Sequence, residues 1–360
     1  MKWTFISTGF PPFNVNTPSE RGLGGIESSC CYLMNELNNL GQEVQFYCQG
    51  GTRNNINNIK HFGLNNFEEL ELTDSDVCIF IGHTADIIPI KKIIKNIPLV
   101  FWVQHSYDQP GVSFLKNSEV IKNLSGIIFV SNWQELSFIN YFKLSNIKTF
   151  VIGNGITPNF KNQFSNLQDF KIKKRETRGV YASTPFRGLE VLYESSYHVN
   201  GKIIIDIFSS MKTYSLEDNE KFQILFDKIK ENNKFNYWGS VNKKILAENF
   251  SFASFLTYPS IFSETFCISL LDALATGIEP ITTDLAALKE TSLGYGRFLS
   301  LDNSNFILDY ANLINETIRN KDKNFDEWCN KQYNQMIHVN LNHSWTKKAE
   351  KWIDIIKLFN

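Results

Sequence analysis

Short, almost wholly apolar runs separated by helix-like stretches constrain this chain more than any other feature. In the first half they read KWTFIST, EVQFYC, DVCIFIG, PLVFWVQ, GIIFVS and TFVIGNG. A strand with one face in water alternates polar and apolar residues, and these do not. They match central parallel strands covered by helices on both faces. The stretches between them supply the helices; SSCCYLMNELNNLG is one, with Gly41 as its stop. After Gly155 a polar, basic stretch, TPNFKNQFSNLQDFKIKKRETRG, reads as a linker. A second series follows: GVYAST, KIIIDIFSS, FNYWGSV, SFLTYPS, EPITTD and RFLSL. At 360 residues the chain is long enough for two domains. The predicted fold class is α/β: two doubly wound, Rossmann-like parallel sheets, over residues 1–160 and 175–342. A last helix, over 345–360, comes after the second series is complete.

Composition excludes several classes. The formal net charge is −1, which argues against a generally basic nucleic-acid binder. Six cysteines form no CxxC and no zinc spacing with histidine, so buried free thiols in a reducing, cytoplasmic setting are expected. MKWTFISTGFPPF reads as a first strand and turn, not a signal peptide. No apolar run reaches about 18 residues, so no membrane span is expected. ADIIPIKKIIKNIP mixes Ile with Lys91, Lys92 and Lys95. It reads either as peripheral contact with an anionic surface or as a helix with one buried face and solvated lysines.

Open α/β sheets bind ligands beyond the carboxyl ends of their strands, and two facing sheets make a cleft. Polar residues just after each strand are therefore the candidates. After the first strand a long loop ends in Gly24-Gly25, where backbone can approach a ligand and a helix begins near Ile26 or Glu27. His83 in FIGHTAD and His105 in FWVQHSYDQP stand at the ends of two further strands. In YASTPFRGLEVL a strand ends at Ser183, and Arg187-Gly188 begin a helix, which suits an anion. The stretch SETFCISLLDALATG, Ser263 to Gly277, reads as a helix with Ser263 as N-cap and Gly277 as stop. It places Glu264 at the helix mouth and Asp272 eight residues on, about 12 Å along the axis at 1.5 Å per residue. That is too far to share a proton but suits two ends of one extended ligand. The amides of Thr265, Phe266 and Cys267 would face the charge between them. Each residue also has a structural reading: a glycine turn, strand-end histidines, a solvated arginine, a helix-dipole partner, a satisfied buried acid.

Taken in order, GLGGIE, VSNWQ, VIGNGI, STPFRGLEVL, YWGSV, ETFCISLLDALATG and TTDLAALKET resemble the retaining nucleotide-sugar glycosyltransferases of family 4. The STPFRGL form is similar to a subgroup acting in surface polysaccharide synthesis. The resemblance implies the GT-B fold. It implies that Gly24 and Gly25 approach the donor phosphates and that Arg187, with Gly188 and Ser183 beside it, neutralises the leaving diphosphate. Glu264 would hold donor-sugar hydroxyls and Asp272 the ribose. Trp238, Ser240 and Val241 would border the base, and His105 and His83 would line the reaction centre. The implied donor is a nucleotide-diphosphate sugar, the acceptor a glycan or lipid-linked hydroxyl, and no metal or other cofactor is expected. The final helix would cross back onto the first domain. Two departures stand out: Asp272 is where the family usually has Glu, and a further upstream Arg is replaced in the region of Ser183. A nucleotide-sugar epimerase and a non-catalytic sugar-nucleotide-binding subunit are the rival readings. A dinucleotide oxidoreductase is disfavoured, since no GxGxxG follows a strand.

Overall fold

A computed structural model of the chain describes residues 1–70, 74–214, 216–302 and 304–359. The chain forms two compact units. The first comprises Met1–Pro18, Gly25–Gly155 and Trp345–Asn360; the second comprises Ser19–Gly24 and Ile156–Ser344.

In the first unit the apolar runs become strands β1 (Lys2–Ser7), β2 (Glu43–Gln49), β5 (Val77–Ile81), β6 (Leu99–Trp102), β7 (Gly126–Phe129) and β8 (Lys148–Val151), joined by β3 (Asn54–Ile56) and β4 (Ile59–Leu64). The sheet order is β3-β4-β2-β1-β5-β6-β7-β8. Neighbours are parallel except for the β3–β4 hairpin. That hairpin lacks an apolar run and turns on Asn57 and Asn58, at φ 53° and 62°. Two successive left-handed residues are the tight turn that matches strand twist, and asparagine tolerates it. Helix Gly25–Asn39 covers one face of the sheet and stops at Gly41, whose φ is 77°. Helix Trp345–Ile356 packs beside it, with Trp352 against Trp102 at 5.1 Å and Trp345 lying over Gly155. The lysine-rich helix Ile87–Ile94 buries Ile87, Ile90 and Ile94, while Lys92 and Ile93 lie at the surface. Among the described residues, no helix is long and apolar enough to cross a membrane.

The loop after β1 rests on a buried histidine. Val15 N donates to His61 Nε2 at 3.4 Å, and Nδ1, which then carries the ring proton, donates to Ile59 O at 2.9 Å. Burial lowers the His61 pKa below the usual 6.5. The unfolded chain therefore binds the extra proton first as pH falls, so this contribution is present above pH 6.5 and is lost below it. The stability advantage of the wild type over His61→Gln is expected to shrink between pH 7.5 and 5. Urea denaturation at the two pH values measures this, and a constant difference would contradict it.

The second unit holds β9 (Arg178–Ala182), β10 (Ile204–Phe208), β11 (Phe235–Tyr237), β12 (Phe255–Tyr258), β13 (Glu279–Thr283) and β14 (Arg297–Leu299). All are parallel, in the order β11-β10-β9-β12-β13-β14. The stretch read as a linker is packed structure. It forms helix Leu167–Lys173 and buries Phe160, Phe164 and Phe170 in the core. Lys174 is buried as well. Its Nζ donates to Phe250 O and Ala253 O at 3.0 and 2.5 Å and lies over the rings of Phe164 and Phe170. Three phenylalanines spread among lysines and asparagines gave too weak a pattern to outweigh the polar composition. The six cysteines are free thiols, all buried but Cys267, which is half-buried.

Candidate functional site

In the second unit β9 and β12 are adjacent strands, and the segments that leave them carry the charged cluster. Beyond β9, Pro185–Arg187 forms a single 3-10 turn, and helix Leu189–Ser196 follows Gly188. Beyond β12 the chain runs through Pro259 and Ser260 to Glu264. Arg187 Nη1 donates to Glu264 Oε1 at 2.8 Å. Tyr258, the last residue of β12, donates its hydroxyl to the same oxygen at 2.5 Å and lies 3.3 Å from Ser183 Oγ. The Arg187 guanidinium stands 4.4 Å from the centre of the Phe262 ring, a cation–π contact. Glu264 is 5% exposed, yet among the described residues its Oε2 has no hydrogen bond and is not sealed from solvent. One carboxylate oxygen is thus fixed by two donors. Burial and the Glu264 charge push the Tyr258 phenol well above its usual pKa, so it stays a donor.

The helix expected from Ser263 is shorter. Helical residues are Ile268–Ala275, and Cys267, at φ 66°, stands before them. Glu264 therefore lies in a loop, not at a helix mouth, and the 12 Å axial spacing to Asp272 does not apply. The first helical amides are those of Ile268 and Ser269 rather than Thr265, Phe266 and Cys267. The loop is held from outside itself: Ala287 N donates to Glu264 O at 3.1 Å and Thr291 Oγ1 to Phe266 O. Asp272 is buried at 2% exposure, and its Oδ1 accepts from Thr157 N at 2.8 Å. Burial pushes its carboxyl up to about 6, against the pull of Lys243 and the Thr157 amide.

Trp238 lies over the sheet: its Nε1 donates to the buried Asp206 Oδ1 at 2.9 Å, and its ring stacks on Phe208 at 5.7 Å. Trp238 is nonetheless 44% exposed. Asp206 also accepts from Arg178 Nη2 at 2.9 Å and Asn236 Nδ2 at 3.1 Å. Ser240 approaches the glycine loop, since a methyl on Gly22 would lie 3.0 Å from Ser240 Oγ and 3.8 Å from Val241 O. Gly24 closes the piece of that loop that belongs to the second unit, and Gly25 opens helix Gly25–Asn39 of the first.

The two histidines come together in the first unit. A methyl on Gly111 would lie 3.1 Å from His83 Cδ2 and 3.9 Å from His105 Nε2, so both rings border that glycine. His83 is exposed and also rests against Gly9. His105 is half-buried and stacks on Phe10 at 5.9 Å. Burial, with the His83 charge, lowers its pKa to about 4, so it is neutral at pH 7. Sequence reasoning missed Tyr258 and Phe262, whose places beside Glu264 and Arg187 come from tertiary contacts and leave no local pattern.

This two-unit architecture is the GT-B fold of glycosyltransferases. A glycosyltransferase from Rickettsia africae superimposes with a TM-score of 0.75 at 18% identity, covering 99% of this chain and 98% of its own. HepE of Anabaena, solved with UDP-glucose, gives 0.71 at 13% identity, covering 99% of this chain and all of its own. Sucrose-phosphate synthase of Thermosynechococcus elongatus gives 0.74 at 14% identity, with 99% and 98% covered. At these identities the likeness is one of fold. By sequence, no family model and no curated protein matches.

Proposed function

We propose that the chain is a retaining glycosyltransferase of cell-surface glycan or polysaccharide synthesis. It moves a sugar from a nucleotide-diphosphate donor to the hydroxyl of a glycan or lipid-linked acceptor. The observation that carries this reading is the Arg187–Glu264–Tyr258 cluster, in which an arginine and a tyrosine converge on one oxygen of a buried carboxylate. Arg187, with the first-turn amides of Ile268 and Ser269, offers positive charge to a departing diphosphate. Glu264 Oε2 accepts from a donor-sugar hydroxyl, as the family resemblance implies. As the glycosidic bond lengthens, the sugar becomes oxocarbenium-like while the leaving phosphate takes the acceptor's proton on the same face. His105 serves the reaction centre, the role the resemblance gives it. This chemistry needs no metal, because the protein's own donors meet the leaving charge.

Asp272, whose Oδ1 accepts from the Thr157 amide, keeps the ribose role that the resemblance implies. HepE was solved with UDP and with UDP-glucose, which makes UDP the first nucleotide to test on this chain. A ligand that binds only the folded state at a hundredfold excess over Kd adds about 2.7 kcal/mol of stability. A thermal-shift screen of UDP, GDP, ADP and CMP is expected to single out one base. The matching sugar nucleotides are then assayed for transfer with retained anomeric configuration. No shift with any nucleotide, together with no transfer, would sink the proposal.

A further inference from the structure

Strands β6, β7 and β8 end side by side in the first unit, and three carboxamides knit together the segments that leave them. Gln134, on helix Asn132–Phe142, is fully buried. Its Oε1 accepts from Val130 N at 2.8 Å, at the end of β7. Its Nε2 donates to two carbonyls at the end of β6, Val103 O at 3.3 Å and His105 O at 2.7 Å. The two amide hydrogens and the amide oxygen are thus all bonded to backbone. Gln134 N is held in turn by the capping Ser131 Oγ at 3.1 Å. On the other side Asn154, just after β8, donates Nδ2 to Gln104 Oε1 at 3.0 Å, and both side chains are buried. His105 is the residue next to Gln104 and the one whose own carbonyl Gln134 grips.

The chemistry of the brace is specific. One amide group meets both carbonyls, so the two bonds tie residues 103–105 to one arrangement of their backbone. Glutamate in place of Gln134 would match its shape and still accept from Val130 N. It would turn an acceptor towards two carbonyls and repel them. Leucine would fill the space and leave one donor and two acceptors without partners.

We propose that Gln134 is a positioning residue for sugar transfer: through the His105 carbonyl it fixes where the imidazole stands beside Phe10, Gly111 and His83. The catalytic half of this inference rests on the glycosyltransferase reading; the geometric half does not. The depth of the ring keeps His105 neutral, so a ring displaced towards solvent titrates nearer the ordinary histidine value.

The test uses the full chain labelled in its histidine rings, with the His105 signal assigned by its loss in His105→Asn. NMR titration from pH 3.5 to 8 is paired with transfer kinetics for the wild type, Gln134→Leu, Gln134→Glu and Asn166→Ala. In both Gln134 variants the His105 midpoint is expected to rise by at least one pH unit. Their kcat is expected to fall at least tenfold, with the donor KM within twofold of wild type. Asn166→Ala loses the cap of helix Leu167–Lys173 in the second unit, where Asn166 Oδ1 accepts from Asp169 N at 3.0 Å, and is expected to lower the melting temperature without moving the His105 midpoint or kcat. An unchanged midpoint and kcat in Gln134→Leu would overturn the proposal. So would a moved midpoint with unchanged kcat. A moved midpoint in a protein whose wild type transfers no sugar would keep the geometric half and remove the glycosyltransferase reading. If Gln134→Leu does not fold, Gln134→Glu decides by the same criteria.

Discussion

Arg187→Ala is expected to lower turnover by about 10²–10³-fold, the usual loss when one preorganised donor to a developing charge is removed. On the proposed reading the guanidinium is held in place for that task before any ligand arrives. Glu264 fixes it on one side at 2.8 Å, and the Phe262 ring supports its face at 4.4 Å. Such a group needs little reorganisation when the diphosphate begins to leave. Arg187→Lys keeps a charge but loses the planar fork and most of the stacking, so an intermediate loss is expected. Stability separates this role from a merely structural one. Removing Arg187 leaves Glu264 buried with only Tyr258 as donor, which is destabilising, though less than for a fully buried pair because the Arg187 side chain is 20% exposed. Adding Glu264→Gln removes the uncompensated charge. The double variant is expected to regain melting temperature and to regain no activity. If Arg187→Ala transfers sugar at the wild-type rate, or if the double variant recovers activity along with stability, the arginine does not serve the leaving group.

The sequence revealed unequal shares of this molecule, for identifiable physical reasons. The central strands were legible because a strand buried on both faces must be apolar throughout; Val77–Ile81 is buried at every position. The β3–β4 hairpin was not, because it sits at a sheet edge and its strands mix polar and apolar residues without a continuous apolar run. Arg187 and Glu264 were each recognisable at a strand end. Their pairing was not, since 77 residues separate them and only the adjacency of β9 and β12 brings them together. The start of the helix after Glu264 was misread for a subtler reason. Ser263 followed by apolar residues has the composition of a capped helix. Contacts from Ala287 and Thr291 hold the loop open instead, and Cys267 takes a left-handed conformation that its side chain does not advertise. Local pattern specified the scaffold, whereas tertiary hydrogen bonds specified the site.

Gly188→Ala is expected to cost about 3 kcal/mol of stability, from two sources that can be separated. Gly188 has a φ of 115°, where an L side chain is disfavoured by roughly 1–2 kcal/mol. An added Cβ would also lie 2.1 Å from the carbonyl oxygen of Pro259, a backbone atom that cannot rotate away. Overpacking of that kind typically adds about 1–3 kcal/mol. Gly294 provides the comparison: its φ is 81°, and an added Cβ there meets nothing within 4 Å. Gly294→Ala is therefore expected to show the conformational term alone, about 1 kcal/mol. Urea denaturation of both variants isolates the clash as the difference, and equal losses would show that no clash exists. The contact also bears on the site. Gly188 follows Arg187 directly, and Pro259 leads the segment that reaches Glu264, so their close approach sets how far apart the two charged side chains begin. Relief of the clash must move one backbone away from the other. Gly188→Ala is therefore expected to weaken the stabilisation by the selected nucleotide in the thermal-shift assay as well, whereas Gly294→Ala is expected to leave it unchanged.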